Sequence, residues 1–138
     1  MLDIAPEPRD RPGMIGHLPY VALGGAIGAS LRFLVGHAVL KLAGPGFPLA
    51  TLGVNILGSF LMGVFVAVAA QKGGTALSPF LLTGVLGGFT TFSAFSLEAV
   101  MLFERGASGQ AAAYVAASVL GAIAALVAGL WLARGIFA

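Results

Sequence analysis

The stretch GVLGGFTTFSAFSLE, residues 84–98, decides the fold because it lies in a long apolar run without being filled by leucine and valine. It holds three glycines, four hydroxyl residues and three phenylalanines. Gly87 and Gly88 weaken a helix, and Thr90 and Thr91 bring hydroxyl groups near the middle of the run. Irregular backbone at membrane depth persists only where it is buried in protein or lines a cavity. The stretch therefore predicts a broken membrane-spanning helix.

The composition is that of a membrane protein. Of 138 residues, 59% are hydrophobic and only 9% are charged, and the mean hydropathy is +1.02. Soluble domains carry about 25% charged residues, so the lipid bilayer must be the solvent for most of this chain. A net charge of +2 without a basic run argues against a nucleic-acid partner. The absence of cysteine excludes disulfides and cysteine nucleophiles.

Four apolar segments follow a polar N-terminal stretch. Each is long enough for a helix to cross a hydrocarbon layer of about 30 Å. Residues 1–18 mix acids with bases, so they predict a flexible polar leader and not a secretory signal. The sequence thus predicts an all-α, multi-pass transmembrane domain over residues 19–135, with helices at about 19–42, 48–71, 79–104 and 110–134.

The charges near the membrane give little orientation. Four spans place both termini on one side, and the lysines and arginines favour cytoplasmic termini only faintly. A balance this close permits insertion in both directions and hence an antiparallel dimer. Small residues spaced four apart, such as Gly24 with Gly28 and Gly84 with Gly88, let helix backbones approach closely. The basic residues are Arg9, Arg11, Lys72 and Arg134 on one side, against Lys41 and Arg105.

Several polar residues within the spans each have two interpretations. Arg32 lies deep in the first segment, where it either snorkels to the interface or attracts an anion or pairs within the scaffold. Asn55 shares one helix face with Thr51 and Ser59. Its amide either joins helices by a hydrogen bond or offers donors to an anion path. In the fourth segment, Tyr114 suits an interfacial belt and Ser118 a bond to its own helix; both hydroxyls could equally serve an anion path.

A phenylalanine stripe suggests which ion such a path would take. Phe89, Phe92 and Phe95 recur every third residue, and Glu98 continues the line. Such a stripe usually indicates packing, but the edge of a phenyl ring is positive and can face an anion. Cation paths require acidic rings or carbonyl arrays, whereas this chain has few acids in its spans. The inventory favours a small, hydrogen-bond-accepting anion, while carbonyls at a helix break could bind a cation.

Three motifs together resemble the Fluc/CrcB fluoride channels. They are GGAIGASLR at 24–32, TLGVNILGSFLMG at 51–63 and GGFTTFSAFSLE at 87–98, and the similarity extends over about residues 19–135. The resemblance implies an antiparallel, dual-topology homodimer in the bacterial inner (plasma) membrane. It implies two pores for passive fluoride export, which protects the cell against fluoride toxicity.

The resemblance also implies roles for individual residues. The ring edges of Phe92 and Phe95 would coordinate fluoride beside the pore asparagine, Asn55. Ala94 departs from the family pattern, in which many members carry a hydroxyl residue there. Backbone carbonyls would bind a structural sodium ion on the dimer axis, polar side chains would line the pore, and two charged residues would match family positions. The carbonyls would be those of Gly87 and Thr90, and the pore-lining side chains would be Thr51, Tyr114 and Ser118. The two charged residues at family positions are Arg32 and Glu98.

Other classes of function fit less well. The sequence has no nucleophile–base pair, metal-ligand cluster or nucleotide loop, so an enzyme is not expected; His17 and His37 are interpreted as solvated or interfacial. A small dual-topology, proton-coupled multidrug exporter would need a carboxylate in its first helix, where this chain has Arg32 and no acid. A non-transporting assembly subunit is the second alternative.

Overall fold

The computed structural model describes residues 13–137, and these fold entirely into helices and short turns. Four continuous stretches are long and apolar enough to cross a membrane: Met14–Ala43, Leu49–Gln71, Pro79–Glu104 and Ser108–Ile136. The predicted all-α, four-span, multi-pass plan is confirmed. The elements are a 3₁₀ turn Met14–His17, α1 Leu18–Ala43, α2 Leu49–Gln71, a π-helix Pro79–Leu86, α3 Gly87–Phe89, α4 Phe92–Glu104 and α5 Ser108–Phe137.

The ends of the spans follow local sequence. The 3₁₀ turn leads directly into α1, which has Pro19 in its first turn, so the first span begins inside the predicted leader. Residues 1–12 of that leader lie outside the described residues. Gly44 ends α1 with φ +72° and Gly106 follows α4 with φ +79°. Glycine adopts this left-handed conformation without steric cost, so the chain can turn sharply after each helix.

The closest backbone contacts join the helices in two pairs. The first span packs against the third through backbone contact: a Cβ at Gly84 would lie 2.9 Å from the Cα of Gly24. In the second pair, α2 packs against α5, and a Cβ at Gly63 would lie 2.9 Å from the backbone nitrogen of Leu130. No side chain fits at such distances. The small residues therefore set how closely each pair approaches, as expected for helices in lipid.

The third span changes conformation along its length. Its first eight residues form the π-helix, and α3 adds one short turn. Thr90 (φ −82°, ψ 158°) and Thr91 (φ −154°, ψ 119°) are then extended before α4 begins at Phe92. Two extended residues thus separate the helical stretches, and the side chains around them define the region of interest.

Candidate functional site

The side chain of Asn55 on α2 forms hydrogen bonds with both backbone groups of Thr91. Its Nδ2 donates to the Thr91 carbonyl at 2.9 Å, and the Thr91 N–H donates to its Oδ1 at 2.7 Å. The amide side chain therefore replaces the helical partners that an extended residue lacks. An Asn amide has two N–H donors, and Thr91 uses one of them. The other N–H remains for a further acceptor.

Thr91 also starts α4. Its Oγ1 accepts a hydrogen bond from the Ala94 N–H at 3.2 Å, which is the geometry of a helix N-cap. A threonine directly before an apolar helical stretch is a typical N-cap signal, but in the sequence Thr91 stood out only as a hydroxyl residue. Thr91 is thus the main residue that sequence reasoning missed.

These bonds leave two carbonyl oxygens without their usual helical donors. In a continuous α-helix, the Thr91 N–H would donate to Gly87 and the Ala94 N–H to Thr90. Here those donors go to Asn55 and to Thr91 Oγ1 instead. The neighbouring Leu86 carbonyl, by contrast, accepts from both the N–H and the Oγ1 of Thr90.

Arg32 supports the same region from α1. Its Nε donates to the Gly88 carbonyl at 3.2 Å, and the residue is only partly buried. This guanidinium lies against the scaffold and also lines a cavity described below, so it does not simply snorkel to the interface. Pairing a guanidinium with a free backbone carbonyl reduces the cost of placing it within the membrane.

Glu98 accepts hydrogen bonds from two of the predicted polar residues. Thr51 Oγ1 donates to its Oε1 at 2.8 Å, and the Tyr114 hydroxyl donates to its Oε2 at 2.6 Å. Tyr114 is completely buried and Thr51 is 8% exposed. Both carboxylate oxygens therefore have a hydroxyl donor, which is how a partly buried charge is stabilised.

Aromatic rings connect this cluster to the two phenylalanines. The ring centroids of Phe92 and Phe95 are 5.3 Å apart, and those of Phe95 and Tyr114 are 5.4 Å apart. Phe47, in the loop before α2, adds an edge-to-face contact with Tyr114 at 5.6 Å. Phe95 is 8% exposed, whereas Phe92 is 76% exposed on this single chain. Phe89, which belongs to the same sequence stripe, is buried on the other side of the extended residues.

Two cavities flank the pair formed by Asn55 and Thr91. The phenylalanine cavity, of about 400 Å³, is lined by Asn55, Phe92, Phe95 and Ser118, with Thr90 and Thr91 at its wall. The arginine cavity, of about 380 Å³, lies toward the other end of α4. Thr91 lines both. The wall of the arginine cavity includes Arg32, Thr51, Ala94, Glu98 and Arg105.

Ser118 completes the phenylalanine cavity from α5. Its Oγ is buried, and among residues 13–137 it has no hydrogen-bond partner. An orphaned buried hydroxyl costs free energy unless something else binds it. Together with the spare N–H of Asn55, it gives this cavity polar donors beside aromatic rings.

Comparison with known proteins identifies the family. Residues 19–130 match the family model described as "CrcB-like protein, Camphor Resistance (CrcB)". This chain belongs to the CrcB family. The match to the CrcB family confirms the resemblance inferred from the three motifs.

Individual CrcB-family relatives cover nearly the whole chain. A protein of Ruegeria sp. (strain TM1040), named "Fluoride-specific ion channel FluC", is 68% identical over 84% of this chain and 93% of its own length. Proteins with the same name from Roseobacter denitrificans and Agrobacterium fabrum are 61% and 54% identical, over 85% and 88% of this chain and 94% and 98% of their own lengths.

In this CrcB-family chain, the predicted site residues form two groups. Asn55, Phe92, Phe95 and Ser118 line the phenylalanine cavity. Thr51 and Tyr114, also predicted to line the pore, both donate to Glu98 beyond Phe95, and Thr51 lines the arginine cavity. Gly87 begins α3 and Thr90 directly follows it, and Arg32 donates to the carbonyl of Gly88 between them.

Proposed function

We propose that this chain is a fluoride-selective channel that lets fluoride leave the cell passively and so protects against fluoride toxicity. The observation that carries the proposal is the grouping of Asn55, Phe92, Phe95 and Ser118 around one cavity. High identity to relatives named as fluoride-specific channels supports it. That name describes a channel and not an enzyme, in agreement with the prediction that this chain is not an enzyme.

The chemistry of the phenylalanine cavity suits a small anion. Fluoride accepts strong hydrogen bonds, and Asn55 and Ser118 each have a donor to replace part of its hydration shell. The positive edges of Phe92 and Phe95 supply further weak attraction without a fixed charge that would trap the ion. Conduction requires such binding to be favourable but weak enough for release.

The arginine cavity would act as the approach to this site. Its guanidinium groups, Arg32 and Arg105, attract anions, while the carboxylate of Glu98 is held by Thr51 and Tyr114. We infer that the Glu98 cluster orients hydroxyl groups along the path between the cavities. Ala94 lines the arginine cavity and supplies no hydroxyl there, whereas Thr91 lines both cavities.

We infer further that the functional unit is an antiparallel, dual-topology homodimer in the bacterial inner membrane. Phe92 is largely exposed on the single chain although it lines the phenylalanine cavity, and a partner would cover it. The two extended residues of the third span would form the functional break of that helix, and such backbone needs burial in protein. The near balance of basic residues on the two sides is consistent with insertion in both directions.

A structural sodium ion on the dimer axis is part of this proposal. The carbonyls of Gly87 and Thr90 fit such a role, because their helical donors are engaged by Asn55 and Thr91. Free backbone carbonyls beside a helix interruption are the ligands that broken helices offer to cations. Bound sodium would supply positive charge that fixes these carbonyls, while the residues of this chain hold the surrounding backbone in place.

The decisive experiment measures ion efflux from liposomes that contain the purified protein. Liposomes are loaded with potassium fluoride or potassium chloride, and efflux is followed with ion-selective electrodes. We expect rapid fluoride loss with chloride retained. Equal loss of both ions would refute selectivity. Absence of fluoride loss would refute the channel and favour the non-transporting assembly subunit. Proton-driven efflux of a lipophilic cation would favour the multidrug exporter, although α1 carries no carboxylate.

A further inference from the structure

Gly58 on α2 faces Thr90 in the third span. It is buried, three residues after Asn55, and it lines the phenylalanine cavity. A Cβ at this position would overlap the Cγ2 methyl group of Thr90 and would lie 3.4 Å from the Phe89 ring. The methyl group of Thr90 therefore occupies the space that any side chain at position 58 would need.

Thr90 has little freedom to turn away from such a side chain. Its Oγ1 donates to the Leu86 carbonyl at 2.9 Å, and its N–H donates to the same carbonyl at 3.0 Å. A β-branched residue has stiff χ1, so rotating the methyl group would also break the Oγ1 bond. The next residue, Thr91, is held by Asn55 through both of its backbone groups. A push on the methyl group must therefore move the backbone of Thr90 or break these bonds.

We propose that Gly58 is a positioning residue: its missing side chain determines where Thr90 lies, and with it the carbonyls of Gly87 and Thr90. The contact itself is independent of what the protein transports. Its consequence for ion binding rests on the proposed function, because those carbonyls are the ones assigned to sodium. Gly58 acts through Thr90 and need not touch any ion.

The test uses one clashing variant, one matched control and one rescue. Gly58→Ala adds the overlapping methyl group. Gly53→Ala adds the same group on the same helix, where nothing lies within 4 Å. Thr90→Ser removes Cγ2 but keeps the hydroxyl group that binds Leu86. The double variant Gly58→Ala/Thr90→Ser therefore has room for the added methyl group and is compared with Thr90→Ser alone.

The first measurement is fluoride efflux per reconstituted protein. Overpacking a tight contact displaces backbone, so we expect Gly58→Ala to slow efflux roughly tenfold or more. Gly53→Ala should match the wild type, and the double variant should match Thr90→Ser. Equal efflux from Gly58→Ala and Gly53→Ala would overturn the proposal, as would a double variant slower than Thr90→Ser by the same factor that separates Gly58→Ala from the wild type.

The second measurement separates positioning from general stability. Thermal unfolding is followed in sodium chloride and in N-methylglucamine chloride. We expect a sodium-dependent rise in melting temperature for the wild type and Gly53→Ala, its loss in Gly58→Ala, and its return in the double variant. If Gly58 merely packed the fold, Gly58→Ala would lower both melting temperatures equally and keep the rise, which would overturn the inference.

The outcomes distinguish this inference from the proposed function. A wild type without fluoride efflux refutes the channel, and the melting temperatures then decide the role of Gly58 through the coupling between positions 58 and 90. If sodium does not raise the melting temperature of the wild type, the sodium site is refuted, and the efflux comparison then decides the role of Gly58. Independent effects of the two substitutions in both measurements would refute the contact.

Discussion

Replacing Asn55 with leucine tests the pairing that holds the extended residues in place. Leucine has the same branched arrangement of side-chain heavy atoms as asparagine, but it removes both hydrogen bonds to Thr91. The Thr91 N–H and carbonyl would then remain in a partly buried site without these partners. The extended conformation should lose its main local support.

The expected magnitude follows from those two bonds. Hydrogen bonds between helices in membranes average about 0.6 kcal/mol each, whereas leaving a buried polar group unsatisfied costs about 1–3 kcal/mol. For two groups we expect Asn55→Leu to lower the free energy of unfolding by about 2–4 kcal/mol, between these limits. The same energy would reduce the population of the extended conformation by roughly 30- to 1,000-fold.

The assay combines thermal unfolding in detergent with fluoride efflux from liposomes. Ser30→Ala serves as the control, because it removes an exposed hydroxyl group that binds only its own helix. We expect the control to unfold and conduct like the wild type, and Asn55→Leu to show a lower melting temperature and little efflux. Wild-type melting together with wild-type efflux in Asn55→Leu would refute the role assigned to this pairing.

Two further substitutions probe the aromatic rings and the carboxylate. Phe92→Ile and Phe95→Ile should both slow fluoride efflux, and Phe95→Ile should also lower the melting temperature, because Phe95 is buried within the single chain at 8% exposure. Full efflux in Phe92→Ile would contradict its place in the path. Glu98→Gln should lower stability by about 1–3 kcal/mol because the Tyr114 hydroxyl loses a charged acceptor. Thermal unfolding beside Glu104→Gln, at the exposed end of α4, measures the difference, and equal melting of the two variants would rule the effect out.

Sequence reasoning succeeded where length and hydropathy were sufficient. Each span is a long, predominantly apolar run, and glycine-rich turns separate the spans, so their number and approximate positions follow from the cost of burying charge and backbone in lipid. The unusual composition of residues 84–98 also directed attention to the region where Thr90 and Thr91 are extended.

The details of the site depend on contacts that are distant in sequence. Asn55 and Thr91 are separated by 36 residues, and a side chain that pairs with backbone leaves no pattern at its partner's position. Thr51 and Tyr114 have the same residue types expected of a pore lining, but only the packing of α2, α4 and α5 shows that both bind Glu98. The π-helix likewise lies where the third span packs against the glycines of α1, a contact that the sequence of the π-helix does not reveal.

The pairing of helices has a consequence for how the chain assembles. The first span packs against the third and α2 packs against α5, with Gly63 and Gly129 at backbone contact in the second pair. The two glycine-packed pairs therefore join spans that are not consecutive in the chain, although α4 also contacts α5 through Phe95 and Tyr114. The face of α2 that carries Gly63 stays without its mate until the final helix has been synthesised, so insertion of α5 completes the fold, and a chain truncated after α4 should be degraded or aggregate.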